Sequence, residues 1–125
     1  MTKRRSIHIE GLSHLTAIPV ATQIGPLVVS SVIAPFDPGT RNVPEDPAAQ
    51  VANIFRHVQA MLDEAGATWD DVAKMDFWAP SAEARAIIDG PWVEYFPDEA
   101  SRPSRHTHVD DGGAMRATFM AYIAD

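Results

Sequence analysis

The chain has no cysteine. Disulfides, thiol nucleophiles and cysteine-ligated zinc are therefore ruled out. No uninterrupted apolar run approaches the roughly eighteen residues that a membrane-spanning helix needs. The charged start, Lys3-Arg4-Arg5, is not followed by the apolar stretch of a signal peptide. A basic surplus is also missing: Lys and Arg number 10 against 17 Asp and Glu, for a net charge of −7. Without a basic stripe to displace counterions, binding nucleic acid through its phosphates is disfavoured. There is no phosphate-cradling loop, no dinucleotide fingerprint and no G-x-S-x-G nucleophile motif. The expectation is a soluble cytoplasmic protein that engages neither nucleic acid nor membrane.

What remains is ordinary globular material, 46% apolar and 22% charged. A length of 125 residues suits one domain, 1–125, small enough that oligomerisation would add useful burial. Ser6 to Glu10 alternates and reads as a half-buried strand stopped by Gly11. Ile18 to Ile24 is a second strand, with Pro19 arguing for a sheet edge. Gly25-Pro26 is a turn, and Leu27 to Ala34 is an apolar run suited to a strand buried on both faces. Inside it Ser30 and Ser31 need partners, from backbone or from a ligand. Prolines 35, 38, 44 and 47 mark a loop.

Val51, Ile54, Phe55, Val58, Met61, Leu62 and Ala65 keep the spacing of an amphipathic helix that opens near Pro47 and stops at Gly66. Val72 to Ala79 is a strand with Met75, Phe77 and Ala79 on one face and Lys74, Asp76 and Trp78 on the other. Ser81 is a natural cap for a second helix, kinked or restarted at Gly90-Pro91. A strand over residues 103–109, a hairpin turn at Asp110 to Gly113 and a last strand from Ala114 to Ile123 complete the chain. This order predicts an α+β fold, a mixed sheet with two helices packed on one face. His8 and His57 are expected to be solvated and structural respectively.

The chemistry concentrates in Pro103-Ser104-Arg105-His106-Thr107-His108-Val109. Residues two apart in a strand share a face, so Arg105 and Thr107 point one way and His106 and His108 the other. A guanidinium fork matches a carboxylate in two parallel hydrogen bonds. The competing reading of Arg105 is a surface ion pair with an acidic neighbour. A histidine can act as general base. Two histidines at i, i+2 can also ligate a metal, with Asp110 or Asp111 as a third ligand. The expectation is a site that needs neither metal nor cofactor.

Pro103-x-Arg105-x-Thr107 resembles the active-site strand of the RidA (YjgF) family. So does Gly25-Pro26-Leu27-Val28-Val29-Ser30-Ser31 followed by Pro35-Phe36-Asp37-Pro38. Gln50, Ala65-Gly66, Asp70-Asp71-Val72, Lys74 and Glu94-Tyr95-Phe96 fall where that family's helices and middle strand place them. The likeness runs from about Ile18 onward. It implies a chorismate-mutase-like fold, a homotrimer with clefts between subunits, and no cofactor. It also implies hydrolysis of 2-enamine or 2-imine acids, with Arg105 gripping the substrate carboxylate.

The chain departs from the family in five places. Met120 stands where a glutamate on the last strand positions water. Thr16-Ala17-Ile18 replaces Gly-Pro-Tyr, Val32 a glycine, Asp89 an asparagine and Trp92 a common tyrosine. The expected substrate contacts are Arg105, Ser30, Ser31, Asp89, Trp92 and Met120, with His14 and His106 as candidates for water activation. The alternative reading is a non-catalytic trimer that binds or senses a small carboxylate.

Overall fold

The computed structural model describes residues 3–124. Six strands form one mixed sheet: β1 (Arg5–Ile7), β2 (Ala21–Ile24), β3 (Leu27–Ser30), β4 (Val72–Ala79), β5 (Ser104–Val109) and β6 (Arg116–Tyr122). Their spatial order is β1-β2-β3-β6-β4-β5. All neighbours run antiparallel except β4 and β5, which are parallel. The helices are α1 (Pro47–Ala65), α2 (Ala82–Ile87) and α3 (Asp89–Tyr95). This is the α+β arrangement that the element order predicts.

Helix α1 forms where its apolar spacing requires. Asp46 caps it by accepting the Ala48 N–H, Pro47 sits in the first turn, and Gly66 ends it in the left-handed region. Its stripe of Val51, Ile54, Phe55, Val58, Met61 and Leu62 is fully buried. Each such side chain contributes about 1.5–3 kcal/mol of burial. The stripe meets Val28, Met75, Phe77, Ala117 and Ala121 from the sheet in one core. Phe55 also stacks on Tyr95 of α3 at 4.6 Å. On β4 the buried residues are Met75, Phe77 and Ala79, as alternation predicts. Ser81 accepts the Ala84 N–H and starts α2. The second helix breaks at Ile88, two residues before the expected kink, so that Pro91 falls in the first turn of α3.

Five expectations need correction. Asp110 to Gly113 is no hairpin turn: β4 lies between β5 and β6, and the connection crosses its end, where the Asp110 N–H bonds the Ala79 carbonyl. Local turn chemistry cannot tell a hairpin from a short crossing. β2 is not an edge strand, because β1 covers it and Pro19 falls outside the ladder. The first strand stops at Ile7, where Ser13 turns the chain back by bonding both backbone groups of Ile9.

The apolar run from Leu27 leaves the ladder after Ser30 and rejoins it only at the Ile33–Ala117 bridge, through one extra residue that bulges the strand. Nor is that run buried on both faces. Val28 is buried, while Leu27 and Val29 are half-buried on the face without helices.

Candidate functional site

Parallel pairing of β4 and β5 puts Met75 opposite Arg105, Asp76 opposite His106, Phe77 opposite Thr107 and Trp78 opposite His108. Paired residues share a face. Arg105 and Thr107 therefore join the helix-covered face with Met75 and Phe77. His106 and His108 join the open face with Asp76 and Trp78.

The Arg105 side chain is only 18% exposed, although β5 is the last strand of the sheet. Its guanidinium carbon lies 5.3 Å from the Trp92 ring centre and 5.8 Å from that of Phe77. These ring faces attract the cation electrostatically. Nη2 forms an ion pair with the Asp89 carboxylate at 3.0 Å, and Nε donates to Thr107 Oγ1 at 3.1 Å. Nη1 has no hydrogen-bond partner among the described residues. Asp89 is 70% exposed, so water weakens its hold on the guanidinium. Arg105, Asp89 and Trp92 are thus brought together, with the charged fork against both rings and Nη1 unpaired among the described residues.

Ser30 and Met120 are brought together elsewhere. They line a depression of about 230 Å³ on the open face, with Val29, Lys74, Asp76 and Thr118. The Ser30 hydroxyl accepts the Phe119 N–H at 2.9 Å across the bulge. Its own hydrogen is left to donate to a ligand. Ser31 is committed differently: its hydroxyl donates to the Pro19 carbonyl at 2.8 Å and ties down the approach to β2. Met120 is 43% exposed and offers only a thioether.

His14 belongs to neither group. It lies in the turn region between β1 and β2, and β1 is the sheet edge opposite β5. Its buried Nδ1 has no partner among the described residues. Within one chain His14, His106 and Arg105 therefore do not form a cluster.

The residue that sequence reasoning missed is Asp76. It lines the Ser30–Met120 depression and faces both strand histidines. The alternation of β4 already puts Asp76 on the polar face; what sequence could not supply was which strand lies alongside.

Asp110 is already occupied. The Gly112 N–H and then the Arg116 guanidinium hold its carboxyl below the usual range. His57 donates from Nε2 to the Phe36 carbonyl at 2.6 Å, and burial pushes its pKa down. It is structural, as expected.

The family model for endoribonuclease L-PSP matches residues 15–109. The chain belongs to this family, the RidA family. A RutC family protein of Haemophilus influenzae is 28% identical over 78 residues, 62% of this chain and 60% of that one. The 2-iminobutanoate/2-iminopropanoate deaminase of Salmonella typhimurium is 28% identical over 83 residues, 66% of this chain and 65% of that one. The matched stretch thus spans about three-fifths to two-thirds of these relatives' lengths.

The structure of RidA from the Antarctic bacterium Psychrobacter sp. PAMC 21119 superposes with a TM-score of 0.84 at 22% identity. It covers 95% of this chain and 99% of that one, and shows the same RidA fold. Among the described residues no helix is long and apolar enough to cross a membrane.

Proposed function

We propose that this RidA-family protein hydrolyses a small 2-imino or 2-enamino acid, with Arg105 binding the carboxylate. The observation that carries the reading is the Arg105 guanidinium, only 18% exposed, seated against Trp92 and Phe77, with Nη1 unpaired among the described residues. The kinship with a 2-iminobutanoate/2-iminopropanoate deaminase supplies the reaction class. In that reaction water adds to the iminium carbon, the C–N bond breaks, and a 2-keto acid and ammonium leave. The carbon is already electrophilic, so positioning the carboxylate and a water supplies most of what catalysis needs.

One chain alone does not present a complete site. Arg105 and Ser30 lie on strands three places apart, about 14 Å across the sheet. The Ser30–Met120 depression also opens on the other face. A second chain bringing its depression to Arg105 would complete the site, in the manner of a homotrimer. The uncovered sheet face, with Met120 43% and Tyr122 56% exposed, is suited to such packing. Met120, in place of the last-strand glutamate, leaves water activation to a group outside that position. The cytoplasm is the setting this chemistry fits.

The test is ammonia release from imino acids generated in situ. Arg105→Ala should lower kcat/KM by about 10²-fold or more, the loss of two charge-assisted hydrogen bonds. An equal rate in the variant removes Arg105 from the mechanism. Met120 favours one second reading, a trimer that binds a carboxylate without turnover. Calorimetry with 2-keto acids separates the two, because heat of binding without ammonia release supports the non-catalytic reading.

A further inference from the structure

Asp76, His106 and His108 form a cluster that substrate binding by Arg105 does not use. Their ligand atoms all lie within 4.8 Å of one another. His108 Nε2 is 4.0 Å from Asp76 Oδ1, and the two imidazole centres are 3.9 Å apart. Two different constraints bring them together. Strand alternation places both histidines on the open face, and parallel pairing puts Asp76 opposite His106. Trp78 stacks on the His108 ring at 4.9 Å and 10°, which fixes that ring's orientation. Within one chain His106 is exposed and His108 half-buried on the edge strand β5, so the cluster is open to solvent on one side.

We infer that Asp76, His106 and His108 bind a divalent transition-metal ion of the zinc or cobalt class on the open sheet face. Two imidazoles and one carboxylate form a nitrogen-rich set that suits zinc, cobalt or nickel, whereas calcium and magnesium prefer oxygen. Three protein ligands leave a fourth position for water. Bonds of about 2.0–2.1 Å place tetrahedral ligand atoms about 3.4 Å apart, so the cluster must contract by about 1 Å. Rotation of the Asp76 and His106 side chains would supply this contraction.

The sequence pattern offered Asp110 or Asp111 as the third ligand. Asp110 is engaged by Arg116 and Gly112, and Asp76 takes its place. The opposing interaction is Lys74, whose Nζ lies 3.8 Å from Asp76 Oδ2. It is half exposed, with a long side chain that can swing away. The inference goes beyond hydrolysis: binding an ion requires neither Arg105 nor turnover.

The test titrates the full-length protein, stripped with chelator, with zinc chloride by calorimetry and with cobalt chloride by absorbance. One ion per chain is expected, with a cobalt spectrum lacking thiolate bands because the chain has no cysteine. His106→Ala, His108→Ala and Asp76→Asn should each weaken binding by about tenfold or more. Lys74→Ala should strengthen it. His8→Ala and Arg105→Ala should leave it unchanged, so failure of the hydrolase reading leaves this result intact. No saturable binding, or binding that survives His106→Ala and His108→Ala, overturns the inference.

Discussion

Gln50 is where a single side chain joins three parts of the fold. It is 8% exposed on the first turn of α1. Its Oε1 accepts the Met115 N–H at 2.9 Å, and its Nε2 donates to the Pro44 carbonyl at 2.7 Å. It thus anchors both the loop before α1 and the crossing that separates the Arg105 strand from the Met120 strand. Gln50→Leu keeps the volume and the helix but removes both bonds.

Met115 is 0% exposed, so its stranded N–H cannot turn to water. Pro44 is half-buried and recovers part of its loss. At about 1–3 kcal/mol for each buried group left unsatisfied, less the gain from burying leucine, the net cost is about 2–3 kcal/mol. For a domain of this size that lowers Tm by about 8–12 °C. Urea and thermal unfolding followed by circular dichroism measure it, at one fixed protein concentration because assembly shifts Tm. Gln59→Leu is the control. Gln59 lies on the same helix but bonds only the Asp63 and Trp69 side chains, and should cost within about 1 kcal/mol. If Gln50→Leu costs no more than Gln59→Leu, the reasoning about stranded backbone groups is wrong.

Two further predictions concern stability. Burial lowers the His57 pKa, so the unfolded chain takes up the proton first as pH falls. Its contribution is therefore full above about pH 6.5 and is lost below it, by at most about 1.4 kcal/mol between pH 7.5 and 5.5. His57→Gln, which can still donate to Phe36, should flatten that part of the urea-midpoint profile; an unchanged slope refutes the assignment. At Gly11, φ is +81° and an added Cβ would sit 2.7 Å from the Gly39 backbone, whereas at Gly39, φ +77°, it would meet nothing within 4 Å. Gly39→Ala should cost only the left-handed strain, about 1–2 kcal/mol, and Gly11→Ala clearly more; equal unfolding midpoints would show that the two loops separate freely.

Much of the fold was legible because the relevant forces are local. The 3.6-residue stripe of α1, its Asp46 and Gly66 ends, the Ser81 cap and the two-residue alternation of β4 all follow from neighbours along the chain. The same alternation, applied to β5, is enough to put Arg105 and His106 on opposite faces. The hairpin reading failed because turn residues at Asp110 to Gly113 describe the bend but not the strand that lies beneath it. The Ser31 tie to Pro19 was equally hidden: its partner is twelve residues away across a ladder.

The sequence by itself determined the elements, the faces they present and the family's arginine strand, since each depends on short-range periodicity or on a motif. Tertiary structure alone decided that β4 lies between β5 and β6, that Asp76 thereby faces the histidines, and that Asp89 and Trp92, which the resemblance gave only as substrate contacts, touch Arg105 itself. Those neighbours are chosen by long-range pairing and core packing, which join residues that no spacing along the chain connects.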